Sequence, residues 1–378
     1  MGDPERITTH RLSFGQAEVL DSVLPESVDL IVTSPPYPMI EMWDSCFSNG
    51  NKETAEALAR GKGFEAFELM HRDLDKVWGE CKKVLQPGGF MCINIGDATR
   101  TVGSDFALYP NHARISTACV RLGLTPLPEI IWRKQTNAPN KFMGSGTLPA
   151  GAYVTLEHEY ILIFRKGGKR LFDNPEEKSN RQESSIFWEE RNNWFSDLWD
   201  FKGERQTAED SGVSRRTAAF PYELPFRLIS MYSSIGDFVL DPFAGTATTL
   251  LASIGLARNS IGFENDQDIY QLALRRLRRP NGDITARNLQ RLSEHNSFVT
   301  ERLARDKLPS HTNECYGFPV VTRQERSLRL YTVSDVREDD SGAFRVSHSP
   351  LAPPHKMLDS VVRSSARRGT SQVLESWT

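Results

Sequence analysis

The run Val239-Leu240-Asp241-Pro242-Phe243-Ala244-Gly245-Thr246-Ala247-Thr248-Thr249 carries the strongest fold signal in the chain. An apolar segment stops at an acid and a proline, a glycine turn follows, and threonines open a second apolar segment. That order reads as strand, turn and helix. A glycine in such a turn lets backbone approach a ligand, and the free N–H groups of the helix favour an anionic group there. A second strand, Ser260–Phe263, ends in Glu264. Nucleoside sites place an acid about 20 residues beyond the turn, where it accepts from ribose hydroxyls. Turn and acid together point to an adenosine-containing ligand. They do not choose between a nicotinamide cofactor and S-adenosylmethionine.

Outward from this unit the alternation repeats. Val28–Thr33 is an apolar run stopped by prolines, as a buried parallel strand would be. Apolar residues recur at helical spacing from Glu65 to Leu85, and Gln86-Pro87-Gly88-Gly89 ends that helix. Strands are expected at Phe90–Ile95, Glu129–Trp132 and Glu159–Phe164, and helices at Glu223–Ser233 and about Asp268–Arg279. The fold class is therefore α/β. Residues 167–216, charged in both signs and carrying Trp188, Trp194 and Trp199, read as an insertion with its own small structure. Pro280-Asn281-Gly282 reads as a domain edge, followed by an accessory extension over 281–378 with a Ser/Arg-rich tail.

Composition narrows the class. At 378 residues, 39% apolar and 25% charged, the chain reads as soluble and globular. Its opening Met-Gly-Asp-Pro-Glu-Arg has no apolar core, and no stretch approaches the ~20 apolar residues of a membrane span, so a cytoplasmic location is expected. Five cysteines without paired spacing argue against zinc or a disulfide framework, and no metal is expected. A net charge of −3 does not advertise a nucleic-acid binder. Bases nevertheless exceed acids between Arg100 and Arg170 and around 275–329, which is compatible either with solvated helix faces or with a DNA-binding face.

Thr33-Ser34-Pro35-Pro36-Tyr37 settles the class. It resembles the catalytic motif (Asp/Asn/Ser)-Pro-Pro-(Tyr/Phe/Trp) of the DNA amino-methyltransferases. The resemblance runs through most of residues 10–280. It includes Glu18-Val19-Leu20 to Leu30, Leu85–Gly89, Asn94-Ile95-Gly96-Asp97, His158–Lys166, Phe220-Pro221-Tyr222-Glu223-Leu224-Pro225 and the Asp241–Thr249 loop. The catalytic motif precedes the cofactor loop, as in the β arrangement of that family. Two departures are Ala247, where the family usually has a second glycine, and Gln16, where many members have an acid near the adenine.

The resemblance implies a Rossmann-like S-adenosylmethionine-dependent methyltransferase fold, a mixed and mostly parallel sheet with helices on both faces. Residues 1–166 would form its catalytic half, 167–216 a target-recognition insertion and 217–280 its cofactor half. Expected cofactor contacts are Thr33, Phe220, Pro221, Glu223, Leu224, Asp241, Phe243, Ala244, Gly245, Thr246, Thr248, Glu264 and Asn265. In the catalytic motif, the Ser34 hydroxyl and the Pro35 carbonyl would hold the two N–H groups of a base amine and turn its lone pair toward the methyl donor. Pro35 and Pro36 pre-set that geometry. Tyr37 would stack on the extruded base, a contact worth roughly 1–3 kcal/mol.

Serine at the first position goes mostly with cytosine N4 in this family, and Asp or Asn with adenine N6, although both bases offer the same amine. Expected DNA contacts are Arg133, Lys134 and Lys141 for phosphates, near Gly144-Ser145-Gly146-Thr147, and Arg181 and Arg191, with Gln182, Asn192 and Asn193, for base edges. Double-stranded DNA is the expected partner, with a cognate restriction endonuclease as functional counterpart and the chain itself a monomer or homodimer. A catalytically decayed nucleic-acid binder and a nicotinamide-dependent dehydrogenase are the readings from other classes. The dehydrogenase leaves Ser34-Pro35-Pro36-Tyr37 without a role.

Overall fold

A computed structural model of the chain describes residues 6–134, 143–144, 148–203, 220–280, 282–307 and 309–352. Ten strands form one sheet: β1 (Arg6–Phe14), β2 (Val28–Thr33), β3 (Leu85–Ile95), β4 (Leu124–Arg133), β5 (His158–Lys166), β6 (Leu198–Asp200), β7 (Phe238–Asp241), β8 (Asn259–Glu264), β9 (Tyr331–Glu338) and β10 (Phe344–Pro350). Their spatial order is β6-β4-β5-β3-β2-β7-β8-β1-β10-β9. The central five, β3, β2, β7, β8 and β1, run parallel. Strands β5 and β10 pair antiparallel on either side of them. The expected α/β architecture is present.

Helices cover both faces, as a buried parallel sheet requires. Ten are described: α1 (Asp44–Ser48), α2 (Lys52–Ala59), α3 (Gly63–Val84), α4 (Asn111–Arg121), α5 (Pro175–Glu183), α6 (Trp188–Trp194), α7 (Glu223–Tyr232), α8 (Thr248–Gly255), α9 (Gln267–Arg278) and α10 (Gly282–Ala304). Along β2, Ile31 enters the cluster built on α3 through Phe67, Met70, Leu74 and Trp78. Leu30 and Val32 point the other way, into the cluster containing Leu224, Phe226 and Ile229 of α7. That alternation places α3 and α7 on opposite faces. Helix α3 passes almost directly into β3, where Gly88 at φ +86 comes so close to the Arg170 backbone that a Cβ would meet it at 2.6 Å. No helix among the described residues is long and apolar enough to cross a membrane.

Two features of the sheet bear on the expected organisation. Residues 167–203 do not fold apart. Strand β6 pairs with β4 at the sheet's edge, and Trp194 and Trp199 are buried in the α7-side core. Nor does the chain break at Pro280. Helix α10 follows almost at once, and β10 pairs with β1, so residues 331–350 extend the same sheet and cover its parallel edge. The Ser/Arg-rich tail lies outside the described residues.

Candidate active site

The parallel strands aim their C-terminal ends at one edge, the usual place for ligands in an open α/β sheet. Ser34-Pro35-Pro36-Tyr37 follows β2 at the middle of that edge. The glycine turn follows β7 next to it, and Glu264 ends β8 one strand further on. Because β5 runs antiparallel to β3, its first residues arrive at the same edge, with Tyr160 opposite Ile95. The sequence-separated halves of the site meet here.

Asp241 joins them. Thr33 Oγ1 donates to its Oδ1 at 2.6 Å, Thr249 Oγ1 donates to its Oδ2 at 2.7 Å, and the Phe243 N–H donates to Oδ1 at 3.1 Å. Burial pushes its carboxyl up to about 6, against the lowering effect of these three donors. Thr33 and Asp241 were expected to touch the cofactor. They are 1% exposed and clip the strand that leads into the Ser34 motif to the turn.

Several other expected cofactor residues also have structural work. Arg276 Nη1 donates to the Thr246 carbonyl at 2.6 Å and to Thr246 Oγ1 at 2.7 Å, and Thr248 Oγ1 is 3.4 Å from that hydroxyl. Glu223 accepts from Arg227 at 2.7 Å and from Arg287 at 2.9 Å, and those guanidiniums hold its carboxyl below the ordinary value. Phe220 and Leu224 are core residues, with Pro221 part-buried beside them. Phe243 packs edge-on against Trp78 at 6.1 Å. Local sequence could not show this, because each partner lies in another element.

What remains open toward the edge is compact. Ala244 N–H donates to the Phe263 carbonyl at 2.8 Å, and a Cβ on Gly262 would meet Ala244 Cβ at 2.7 Å, so the turn lies directly against β8. Gly245 is part-exposed, Asn265 exposed, and Glu264 part-buried with Oε1 accepting from the Asp266 N–H at 2.7 Å. Burial raises the Glu264 carboxyl. The Gly15 N–H donates to the Glu264 carbonyl at 2.9 Å, which brings exposed Gln16 and the exposed ring of Phe14 to this site. Ala247 adopts φ 62, ψ 30, the left-handed conformation that explains the glycine usual at this position.

Around the catalytic motif the structure adds two residues, Glu159 and Asn94, to which the sequence reading gave no role. Tyr37 Oη donates to Glu159 Oε2 at 2.9 Å, and Ser34 Oγ donates to Tyr37 Oη at 3.2 Å. Asn94 Nδ2 donates to Tyr37 Oη at 2.8 Å and to Glu159 Oε2 at 2.7 Å. Lys134 pairs with Glu159 Oε1 and lies 4.7 Å from the centre of the Trp132 ring. Burial and the Glu159 charge raise the Tyr37 phenol well above its usual range. Glu159 and Asn94 both stand in strands that carry family motifs. The available signal was a polar residue within or beside an otherwise apolar strand.

The expected DNA contacts divide. Arg133 is exposed at this edge, with loose pairs to Glu157 at 3.8 Å and Asp200 at 4.0 Å. Lys134 is here too, but bound to Glu159. Lys141 and Ser145-Gly146-Thr147 lie outside the described residues, while Gly144 sits in a two-residue strand. Arg181 and Arg191 are elsewhere. They line a groove of about 960 Å³ with Asp29, Gly88 and Asp237, at the N-terminal ends of the parallel strands. The structure thus brings these two arginines, expected to read base edges, to the opposite end of the parallel strands from Ser34.

Comparison with known proteins accords with this geometry. The DNA methylase family profile matches residues 28–275, more than half of the chain. The type II methyltransferase M.MthZI of Methanothermobacter thermautotrophicus is 46% identical over 351 residues, covering 92% of this chain and 97% of its own. A putative DNA modification methylase from Thermus thermophilus, solved in complex with S-adenosyl-L-methionine, is 35% identical with a TM-score of 0.54, over 71% of this chain and 94% of that one. The cytosine-N4-specific PvuII DNA methyltransferase shares the fold at 18% identity and a TM-score of 0.51, over 70% of this chain and 85% of its own. With the catalytic motif, the glycine turn and Glu264 gathered on one sheet edge, the chain belongs to the N6/N4 DNA methylase family.

Proposed function

We propose that this chain transfers a methyl group from S-adenosylmethionine to the N4 amine of cytosine in double-stranded DNA. The observation that carries the reading is Ser34 at the C-terminal end of β2, beside the turn that ends β7. The residues present fit the cofactor. Glu264 would accept from the ribose hydroxyls, Gly245 lets backbone come close, and Phe14, Gln16 and Asn265 flank the same edge. When bound, S-adenosylmethionine supplies an electrophilic methyl group whose leaving group is already in place.

The chain's own part is to orient the amine. Ser34 Oγ and the Pro35 carbonyl accept its two N–H groups, and the prolines keep both acceptors fixed before the base arrives. Tyr37 offers its ring, while its hydroxyl stays tied to Glu159. Arg133 is a fit contact for backbone phosphate near the flipped base. The type II name of M.MthZI supports pairing with a restriction endonuclease.

The test is to incubate the protein with unmethylated DNA and S-adenosylmethionine, then digest the DNA to nucleosides for mass spectrometry. N4-methylcytosine is expected, and Ser34→Ala should abolish it. N6-methyladenine would keep the chemistry and overturn the base assignment. Cofactor binding without any methylated base would favour a decayed enzyme.

A further inference from the structure

We propose that Glu159 is the terminal proton acceptor of the reaction, reached from the target amine through the hydroxyls of Ser34 and Tyr37. The proposal rests on the reading that Ser34 holds that amine. A serine that accepts an amine N–H must direct its own proton elsewhere. Tyr37 Oη, at 3.2 Å, is there to take it, and the Tyr37 proton in turn points to Glu159 Oε2 at 2.9 Å. Three oxygens thus form a chain of donors with a single direction.

The surroundings hold that direction. Asn94 Nδ2 donates to both Tyr37 Oη and Glu159 Oε2, at 2.8 and 2.7 Å, which leaves the buried Asn94 Oδ1 without a hydrogen-bond partner. An orphaned buried acceptor is unfavourable. It is tolerated here because the flipped amide would turn an oxygen toward a carboxylate. Lys134 occupies Oε1, so Oε2 is the oxygen that faces the hydroxyls. A residue needed only to anchor Tyr37 would not require the second hydroxyl to be in line.

The balance closes. The nitrogen–carbon bond forms as the carbon–sulfur bond breaks, its electron pair staying on sulfur, and nitrogen is left with one proton too many. That proton passes to Ser34 Oγ, the Ser34 proton to Tyr37 Oη, and the Tyr37 proton to Glu159 Oε2. The products are a neutral methylated amine, a neutral thioether and a carboxylic acid, with both hydroxyls restored. Glu159 is 12% exposed beside the 37% exposed Lys134, so it can return its proton to water between turnovers.

The experiment is single-turnover methylation of duplex DNA by the full chain, with Glu159→Gln, Tyr37→Phe and the double variant. Each single substitution should slow transfer about 100-fold, the scale of general acid–base catalysis, while S-adenosylmethionine and DNA affinities stay within about twofold. The double variant should be no slower than the slower single one, because the residues act as a unit. The wild-type rate should show a solvent deuterium isotope effect that both single variants lose. A Glu159→Gln rate within about threefold of wild type, or losses that multiply in the double variant, would overturn the relay. If Glu159→Gln does not fold, Tyr37→Phe and its isotope effect decide alone. Ser34→Ala separates the two levels. Activity lost there but kept in Glu159→Gln sinks the relay only, and activity kept in Ser34→Ala sinks the reading beneath it.

Discussion

Asp241 shows how one residue can serve the site by being kept from it. Its carboxyl ionises at about 6 in the folded chain against 3.8 ordinarily. Between those values the unfolded chain has released a proton that the folded chain still holds, so stability falls as pH rises through this window. Above it the full penalty stands, roughly 3 kcal/mol at about 1.4 kcal/mol per unit. Asparagine carries no charge to desolvate, and its oxygen still accepts from Thr33 and Phe243. The lost bond from Thr249 takes back about 1 kcal/mol. Asp241→Asn should therefore be more stable than wild type by about 1–2 kcal/mol at pH 7.5 and slightly less stable at pH 4, judged by urea midpoints. An equal difference at both pH values would refute the account. The residue's identity and place in the motif were legible in the sequence. Its task was not, because a carboxylate after a strand reads as a ligand until its partners are seen. Thr249 lies 8 residues away, but Thr33 lies 208 away.

At the scale of elements, two joints decide how the helices sit. Ala247 opens α8 in the left-handed region with no exposed surface. Relief of its strain by glycine, about 1–2 kcal/mol, is offset by the buried methyl lost, about 0.8 kcal/mol, and by glycine's extra chain entropy, about 0.5–1 kcal/mol. Ala247→Gly should change stability by less than about 1 kcal/mol, whereas Ala247→Val, β-branched at positive φ, should lose more than about 2 kcal/mol in the same measurement.

The second joint is the buried pair of Arg291 on α10 with Glu190 on α6, at 2.6 and 2.8 Å. Arg291 also lies over Phe187, Trp194 and Phe226, at 5.8, 5.5 and 5.7 Å. Arg291→Met should cost about 3–5 kcal/mol by stranding Glu190, and Arg291→Met with Glu190→Leu should recover most of it in thermal melts. If the double variant melts no higher than the single, the stranded charge is not the cause. Periodicity exposed α3, which has one wet face, and apolar spacing exposed α7, none of whose residues is fully exposed. It missed α10 as part of the fold, because α10 is tied through polar groups such as Arg291 and His295 that read as surface.

For the whole molecule, the sheet separates what the chain order left mixed. Arg181 and Arg191 line a groove at the far edge from Ser34, so Arg191→Ala should leave the methylated sequence unchanged, as read by sequencing the modified sites. A shifted site preference would contradict this placement. A chain cut after Arg279 would lose β10, baring the backbone of β1 and uncovering Leu12, and should aggregate in size-exclusion chromatography and fail to bind S-adenosylmethionine. By itself the sequence determined the α/β class, the Ser34-Pro35-Pro36-Tyr37 motif and the turn from Asp241 to Thr249. The motif and the turn are each written within about a dozen neighbouring residues, and the class in the repetition of such stretches, where strand period, proline and glycine act locally. Only the tertiary structure decided that Glu159 and Asn94, 122 and 57 residues from Tyr37, complete the site. That meeting depends on the antiparallel register of β5 against β3 and β4, which is fixed by burial across the whole sheet and by no single stretch of chain.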